Sequence, residues 1–330
     1  MRRALLLLLW IPAALVSAGA PPPLPTPITS FGGTASDGYV YAFGGHKGKA
    51  HEYSKQTVSG ALQRLSLTEL AAWEELPGTT PLQSPGLTSW KGKIYLAGGM
   101  QPRNAPGQPQ RLVSLDYAAA FDPADKAWHP LPALPEPRSS HAVAVLEDKL
   151  YAVGGWPLSV GTPEPGEKEG PAKKYHDTIV TLDLAHPEAG WTSAPQPFKR
   201  RALAAIGFEG KIWCIGGMTE DNDLSSEVDI YDLHTGQWTK GPEVPEAGQA
   251  KGFGCAVCTG GGALYLSPQG TQIYKLSPDA KSWAPWAKLA TGRYFHALVY
   301  LSDGKLMALG GTKGGAPIAD VEIVWAQPKP

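Results

Sequence analysis

Short apolar runs closed by a glycine pair recur along the chain: YVYAFGG ends at Gly45, KIYLAGG at Gly99, KLYAVGG at Gly155, KIWCIGG at Gly217 and KLMALGG at Gly311. Before each run stands a tight polar turn, such as EDK, EGK or SDGK, and before that another apolar stretch. Each run therefore predicts the second strand of a hairpin. Between the last two lies ALYLSPQG, residues 263–270, where Ser267-Pro268 takes the doublet's place. Counted so, successive doublets are 54, 56, 62, 51 and 43 residues apart, which makes six units. A second signature follows each loop: LSLTELAAW at 65–73, FDPADKAW at 121–128, LDLAHPEAGW at 182–191, YDLHTGQW at 231–238 and LSPDAKSW at 276–283. It reads as a strand end, a polar turn and a tryptophan opening the next strand. A unit is then four strands in two hairpins, with its variable loop after the glycines.

A period near 50 residues with a glycine doublet and spaced aromatics resembles the kelch family, over residues 24 to 325. The resemblance implies an all-β fold, a six-bladed kelch-type β-propeller with four antiparallel strands per blade. A sandwich has no reason to repeat two signatures in fixed order. The sixth unit lacks an outer Trp strand, while PLPTPI near the N-terminus matches ALPEPR at 133–138. Residues near 22–28 are therefore expected to complete the last blade and close the ring.

Composition agrees with a turn-rich β protein: 39 Gly, 32 Pro and 11 Trp, with 42% hydrophobic and only 18% charged residues. Arg2 and Arg3, an apolar run from Ala4 to Val16 and a small-residue site ending at Ala18 read as a secretory leader over residues 1–18. The domain is then 19–330, secreted or periplasmic, without a membrane span, and expected to be monomeric. Without the two leader arginines the net charge is −3, which argues against nucleic acid as a partner. Cys214, Cys255 and Cys258 are an odd set; the last two, three apart on a strand, face opposite sides, and all three read as small buried hydrophobes.

Chemistry is expected on the face that carries the long loops and the links between blades. Arg138 and Arg200 lie 16 residues before a doublet, Lys251 lies 16 before Ser267, and Arg293 lies 17 before Gly310. Equivalent positions in a ring predict a cationic collar at the channel mouth, suited to carboxylate or phosphate; the competing reading makes these arginines braces between blades. His141 and His296 follow at three residues and read as buried histidines. The long loops add His51, Tyr53, Trp156, Tyr175, His176 and Tyr294, aromatic faces beside polar edges of the kind a sugar site uses. His46, His51 and Glu52 meet no ligand spacing for a metal, so no metal and no cofactor is expected.

These residues favour a binding module for a carbohydrate or other small anionic ligand, or for a protein partner. The alternative is a sugar epimerase or mutarotase resembling N-acetylneuraminate epimerase, a family whose proton acceptor is a Glu in place of a second doublet glycine. All five doublets here keep both glycines, so no catalytic residue is assigned, and a base would have to be Glu52 or Asp177. A copper enzyme resembling galactose oxidase is disfavoured, because no cysteine has the context for a Tyr cross-link.

Overall fold

The computed structural model of the chain describes residues 20–162, 174–245 and 250–326; the expected leader lies outside the described residues. Nine antiparallel sheets occur among the described residues, and six of them, five of four strands and one of three, are arranged around an axis. Their first strands are Gly32–Ser36, Gly86–Trp90, Ala142–Leu146, Ala204–Phe208, Ala256–Gly260 and Ala297–Tyr300. Each packs beside the next in that order, and the sixth packs back against the first, around a central channel. We number these six sheets as blades 1 to 6.

Period-two alternation along each strand sends one set of side chains to each flanking blade. Six apolar clusters result, one at each junction. Tyr41, Phe43, Ile94 and Phe121 fill the junction of blades 1 and 2, and Val40, Leu65, Val299 and Met307 fill that of blades 6 and 1. The signature tryptophans add a polar tie. The indole N–H of Trp128 donates to the Pro77 carbonyl (2.8 Å), that of Trp191 to Pro132 (2.8 Å), that of Trp238 to Pro195 (3.1 Å) and that of Trp283 to Pro242 (2.9 Å). Each proline sits in the segment that leaves the preceding blade, so the same residue pair ties the four junctions from blade 1 to blade 5. Trp73 makes this bond to Pro22 (3.2 Å), across the joint between blades 6 and 1.

At that joint the N-terminal segment takes the place of a departing tail. Leu24 N–H donates to the Ala319 carbonyl (2.8 Å), as Leu134 N–H does to Asp116 (2.8 Å) in blade 2, and Ile28 N–H donates to Ile318 (3.3 Å). Residues 22–28 therefore sit below the position of an outer strand rather than in it, and among the described residues blade 6 has three strands.

The doublets serve the links. In blade 3, Gly154 (φ +65°) has the Arg200 carbonyl where a Cβ would stand, at 2.5 Å, and Gly155 N–H donates to that same oxygen (2.8 Å). Only a residue without Cβ admits the neighbouring link so closely. Blade 5 departs from the sequence count. Its second strand, Ala263–Ser267, ends on Ser267, so Pro268-Gln269 occupies the doublet's place, one residue later than counted. Here the link needs no doublet, because it continues the long outer strand Trp283–Arg293 and Arg293 pairs with Gly270.

Candidate functional site

Each link enters its inner strand through a residue in the left-handed region: Ser30, Ser84, Ser140, Ala202, Gly254 and Phe295, with φ between 49° and 64°. The reversal points the preceding side chain toward the axis, so Thr29, Gln83, Ser139, Arg201, Phe253 and Tyr294 form a ring at one mouth of the channel. A second tier bridges to it: His46 pairs with Thr29, Met100 with Gln83, Trp156 with Ser139, Met218 with Arg201 and Thr312 with Tyr294. The channel encloses about 950 Å³, and no Asp or Glu lines it among the described residues.

Arg201 is the cation of this mouth. Its guanidinium lies 4.5 Å from the centre of the Trp156 ring, Nε donates to the Tyr175 hydroxyl (2.8 Å) and Nη2 approaches Met218 Sδ (3.1 Å). Stacking on Trp156 leaves a cation with its hydrogen-bonding edge directed along the channel wall. No carboxylate pairs with it among the described residues. Trp156 Nε1 is buried without a partner, as is Gln83 Oε1. His46 Nε2 donates to the Lys49 carbonyl (2.9 Å), which leaves Nδ1 as an unused acceptor facing the mouth. Tyr53 packs at a tilt against His46, ring centres 5.3 Å apart and planes 55° apart, and burial raises its pKa while Gln83 and Arg201 pull it back. Opposite, Phe295 packs on Phe253 (5.0 Å) and Tyr294 (5.1 Å) to give an apolar wall.

The expected collar takes a different form. Arg138, Arg200 and Arg293 are at most 2% exposed and face into the blades. Arg138 Nη1 donates to the Gly154 and Thr178 carbonyls (2.9 and 3.0 Å). Arg200 donates to the Glu227 carbonyl (2.7 Å) and pairs with Asp229, itself buried. Arg293 donates to Gly310 and Asp320 (3.0 and 2.8 Å) and pairs with Glu322. Burial lowers the pKa of Arg138 to about 10 and also lowers that of Arg293. These are braces whose terminal Nη donors are already used, while Nε of Arg138 and of Arg200 is buried without a partner. Lys251 is exposed and one residue out of register; the ring position belongs to Gly252, where a Cβ would stand 2.5 Å from Gly216 Cα.

Of the aromatic and histidine candidates, Trp156, Tyr294, His51 and Tyr53 line the channel. Tyr175 stands behind Arg201, with its N–H bonded to Glu220 (2.6 Å). His176 is buried at the junction, Nε2 on the Pro137 carbonyl (3.1 Å) and Nδ1 3.3 Å from Glu136, with burial lowering its pKa to about 4. His141 is buried beside Gly86 and Gly98, and His296 Nε2 meets Ser267 Oγ across blades (3.0 Å). Glu52 and Asp177 are exposed away from the channel. Cys214, Cys255 and Cys258 are free and buried in three separate clusters, and burial pushes Cys255 up to about 12. Among the described residues no cluster of three or more metal-ligating side chains occurs, and no helix is long and apolar enough to cross a membrane. Arg201, which the sequence offers only within the loop stretch FKRR (198–201) and not among the expected ligand-binding residues, is the cation that the structure puts at the mouth. Its signal was alternation: a buried Arg200 sends its neighbour on the same short strand to the opposite side.

Residues 199–245 match the Kelch motif family. Human Kelch-like protein 34 is 25% identical over 215 residues, 62% of this chain and 32% of that protein. Human Kelch repeat and BTB domain-containing protein 13 is 29% identical over 199 residues, 58% and 39% of the two chains. Beta-scruin of Limulus polyphemus is 25% identical over 213 residues, 63% and 21%. The chain thus matches less than half the length of these relatives. The solved structure of YjhT superposes with a TM-score of 0.70 at 17% identity, covering 93% of this chain and 99% of that one. Doublets, tryptophan ties, closed blade order and these likenesses together show a β-propeller built of kelch-type repeats, with the Kelch motif itself matched over residues 199–245.

Proposed function

We propose that this propeller is an exported binding protein that takes a small anionic carbohydrate in the mouth built around Arg201. The observation that carries the reading is a guanidinium stacked on Trp156 in a channel lined by no carboxylate. An anionic group satisfies Arg201, Trp156 Nε1 donates to a ligand oxygen, and ligand hydroxyls donate to Gln83 Oε1 and His46 Nδ1. The aromatic wall of Phe253, Tyr294 and Phe295 receives the apolar face of a sugar ring. Turnover as an epimerase is the weaker alternative: the fold likeness to YjhT permits it, but Glu52 and Asp177, the candidate bases, stand outside the channel.

A thermal-shift series with D-glucuronate, N-acetylneuraminate and D-glucose tests the reading, since a ligand that binds only the folded state raises the melting temperature. The acids should raise it and glucose should not. Arg201→Gln should weaken the acids by about tenfold or more, as expected for a hydrogen bond to a charged group, while melting without ligand falls only by the amount that loss of the Tyr175 bond and the Trp156 contact costs. Kelch domains commonly bind protein partners; acids that give no shift, or an equal shift in Arg201→Gln, would turn the assignment to such a partner.

A further inference from the structure

The loop of residues 46–58 brings His46, His51 and Tyr53 over the mouth, yet it is held from outside the channel. Its backbone has three straps. Ala50 N–H donates to the Gly315 carbonyl of the blade 6 hairpin (3.3 Å), and Gln110 Nε2 donates to the His51 carbonyl (2.9 Å). The third strap is Asn104, between the short strands Met100–Pro102 and Leu112–Ser114 that blade 2 raises beside the mouth. Asn104 is 7% exposed and does not line the channel. Its Nδ2 donates to the Tyr53 carbonyl (2.6 Å) and approaches Ala105 O (3.3 Å), its Oδ1 accepts from Arg111 N–H (3.1 Å), and its carbonyl accepts from Lys55 N–H (2.9 Å).

We infer that Asn104 is a positioning residue that fixes Tyr53 across the mouth, so that a residue of blade 2 outside the channel sets the size of ligand the channel admits. The physical case rests on where the hold is applied. A buried amide with both ends used is costly to disturb, because each unmet partner pays its desolvation. The bonds from Asn104 fall on residues 53 and 55, immediately at the aromatic side chain, whereas the other two straps hold residues 50 and 51. With Asn104 in place, Tyr53 stays beside Gln83 and under the electrostatic influence of Arg201. Without the Asn104 side chain, the stretch through Tyr53 keeps the Lys55 N–H bond to the backbone carbonyl of residue 104 (2.9 Å) and its internal turn bonds, among them Thr57 N–H to the Ser54 carbonyl (3.0 Å) and Ser54 N–H to Thr57 Oγ1 (2.9 Å), but the Tyr53 carbonyl is released and the ring is free to swing out.

The inference rests on reading this mouth as the ligand entrance, but its test needs no ligand. Gln83→Cys places a thiol beneath Tyr53, and the native cysteines are buried. Alkylation of residue 83 by a bulky maleimide, followed by mass spectrometry, then reports how open the mouth is. In that background Asn104→Ala should speed labelling about fivefold or more, the factor that loss of one ordinary hydrogen bond makes in an opening equilibrium. Tyr53→Ala should speed it at least as much, and Gln110→Ala, at an exposed position that cannot endanger the fold, should speed it less. Labelling that stays at the parent rate in Asn104→Ala while Tyr53→Ala speeds it would overturn the positioning role. So would unchanged labelling in Tyr53→Ala, which would show that Tyr53 covers nothing. Failure of the acids to bind would refute the proposed function and leave these rates as they are.

Discussion

Arg200 and Arg201 stand side by side in sequence and do unrelated work, and the difference follows from alternation on a two-residue strand. Arg200 is buried against Asp229, and removing Arg200 leaves that buried carboxylate with only the exposed Lys240 (2.8 Å) as a cation. Arg200→Ala should cost about 3 to 5 kcal/mol in denaturant unfolding, whereas Arg201→Gln should cost only about 1 to 2 kcal/mol, for its Tyr175 bond and Trp156 contact, and chiefly change ligand affinity. Equal destabilisation by the two variants would contradict this division. The buried histidines give a pH signature. Burial lowers His141 well below its usual range and takes His176 to about 4 and His296 to about 3. The folded protein thus holds them neutral, while the unfolded chain protonates them near pH 6.5. Their contribution is intact above that value and is lost as the pH falls toward the folded values. Melting temperature should therefore drop between about pH 7 and pH 5, a window above the usual carboxylate range, and His296→Asn should flatten the drop. An unaltered slope in that variant would remove His296 from the account.

At the scale of strands and links, periodicity exposed the doublet hairpins and the tryptophan strands, because both are short-range patterns of apolar and turn residues. It did not expose the register of blade 5. With Pro268-Gln269 in place of glycines, nothing local marks where the strand ends, and the count slipped by one. That slip carried Lys251 into a position that Gly252 holds. Nor did it show which way the ring arginines face, since burial against a carbonyl or a carboxylate depends on the next blade. The tight approach of Gly252 to Gly216 gives a check: Gly252→Ala should destabilise by about 1 to 3 kcal/mol, as overpacking does, and a neutral result would mean that the link does not press on the doublet. The proline–tryptophan tie was equally invisible, because its two residues lie 41 to 59 positions apart. Trp191→Phe keeps the ring and removes the donor, so it should cost about 1 kcal/mol by the same unfolding assay.

For the molecule as a whole, six apolar junctions enclose one channel, and the joint between blades 6 and 1 uses the same tryptophan tie and tail bonds as the junctions from blade 1 to blade 5. Deleting residues 20–29 removes Leu24 and Ile28 from that core and should lower the melting temperature of the entire domain; an unchanged cooperative transition would show that the joint holds without them. The ring brings together residues from all six blades, which is why the ligand mouth could not be read from any one segment: Arg201 draws its meaning from Trp156, Tyr53 and Phe253 on other units. The most direct test of that mouth is a crystal of the protein soaked in D-glucuronate. The account predicts density in the channel, with the carboxylate in hydrogen-bonding range of the Arg201 guanidinium and the sugar ring against the aromatic wall. An ordered acid bound elsewhere, with the Arg201 mouth empty, would contradict it.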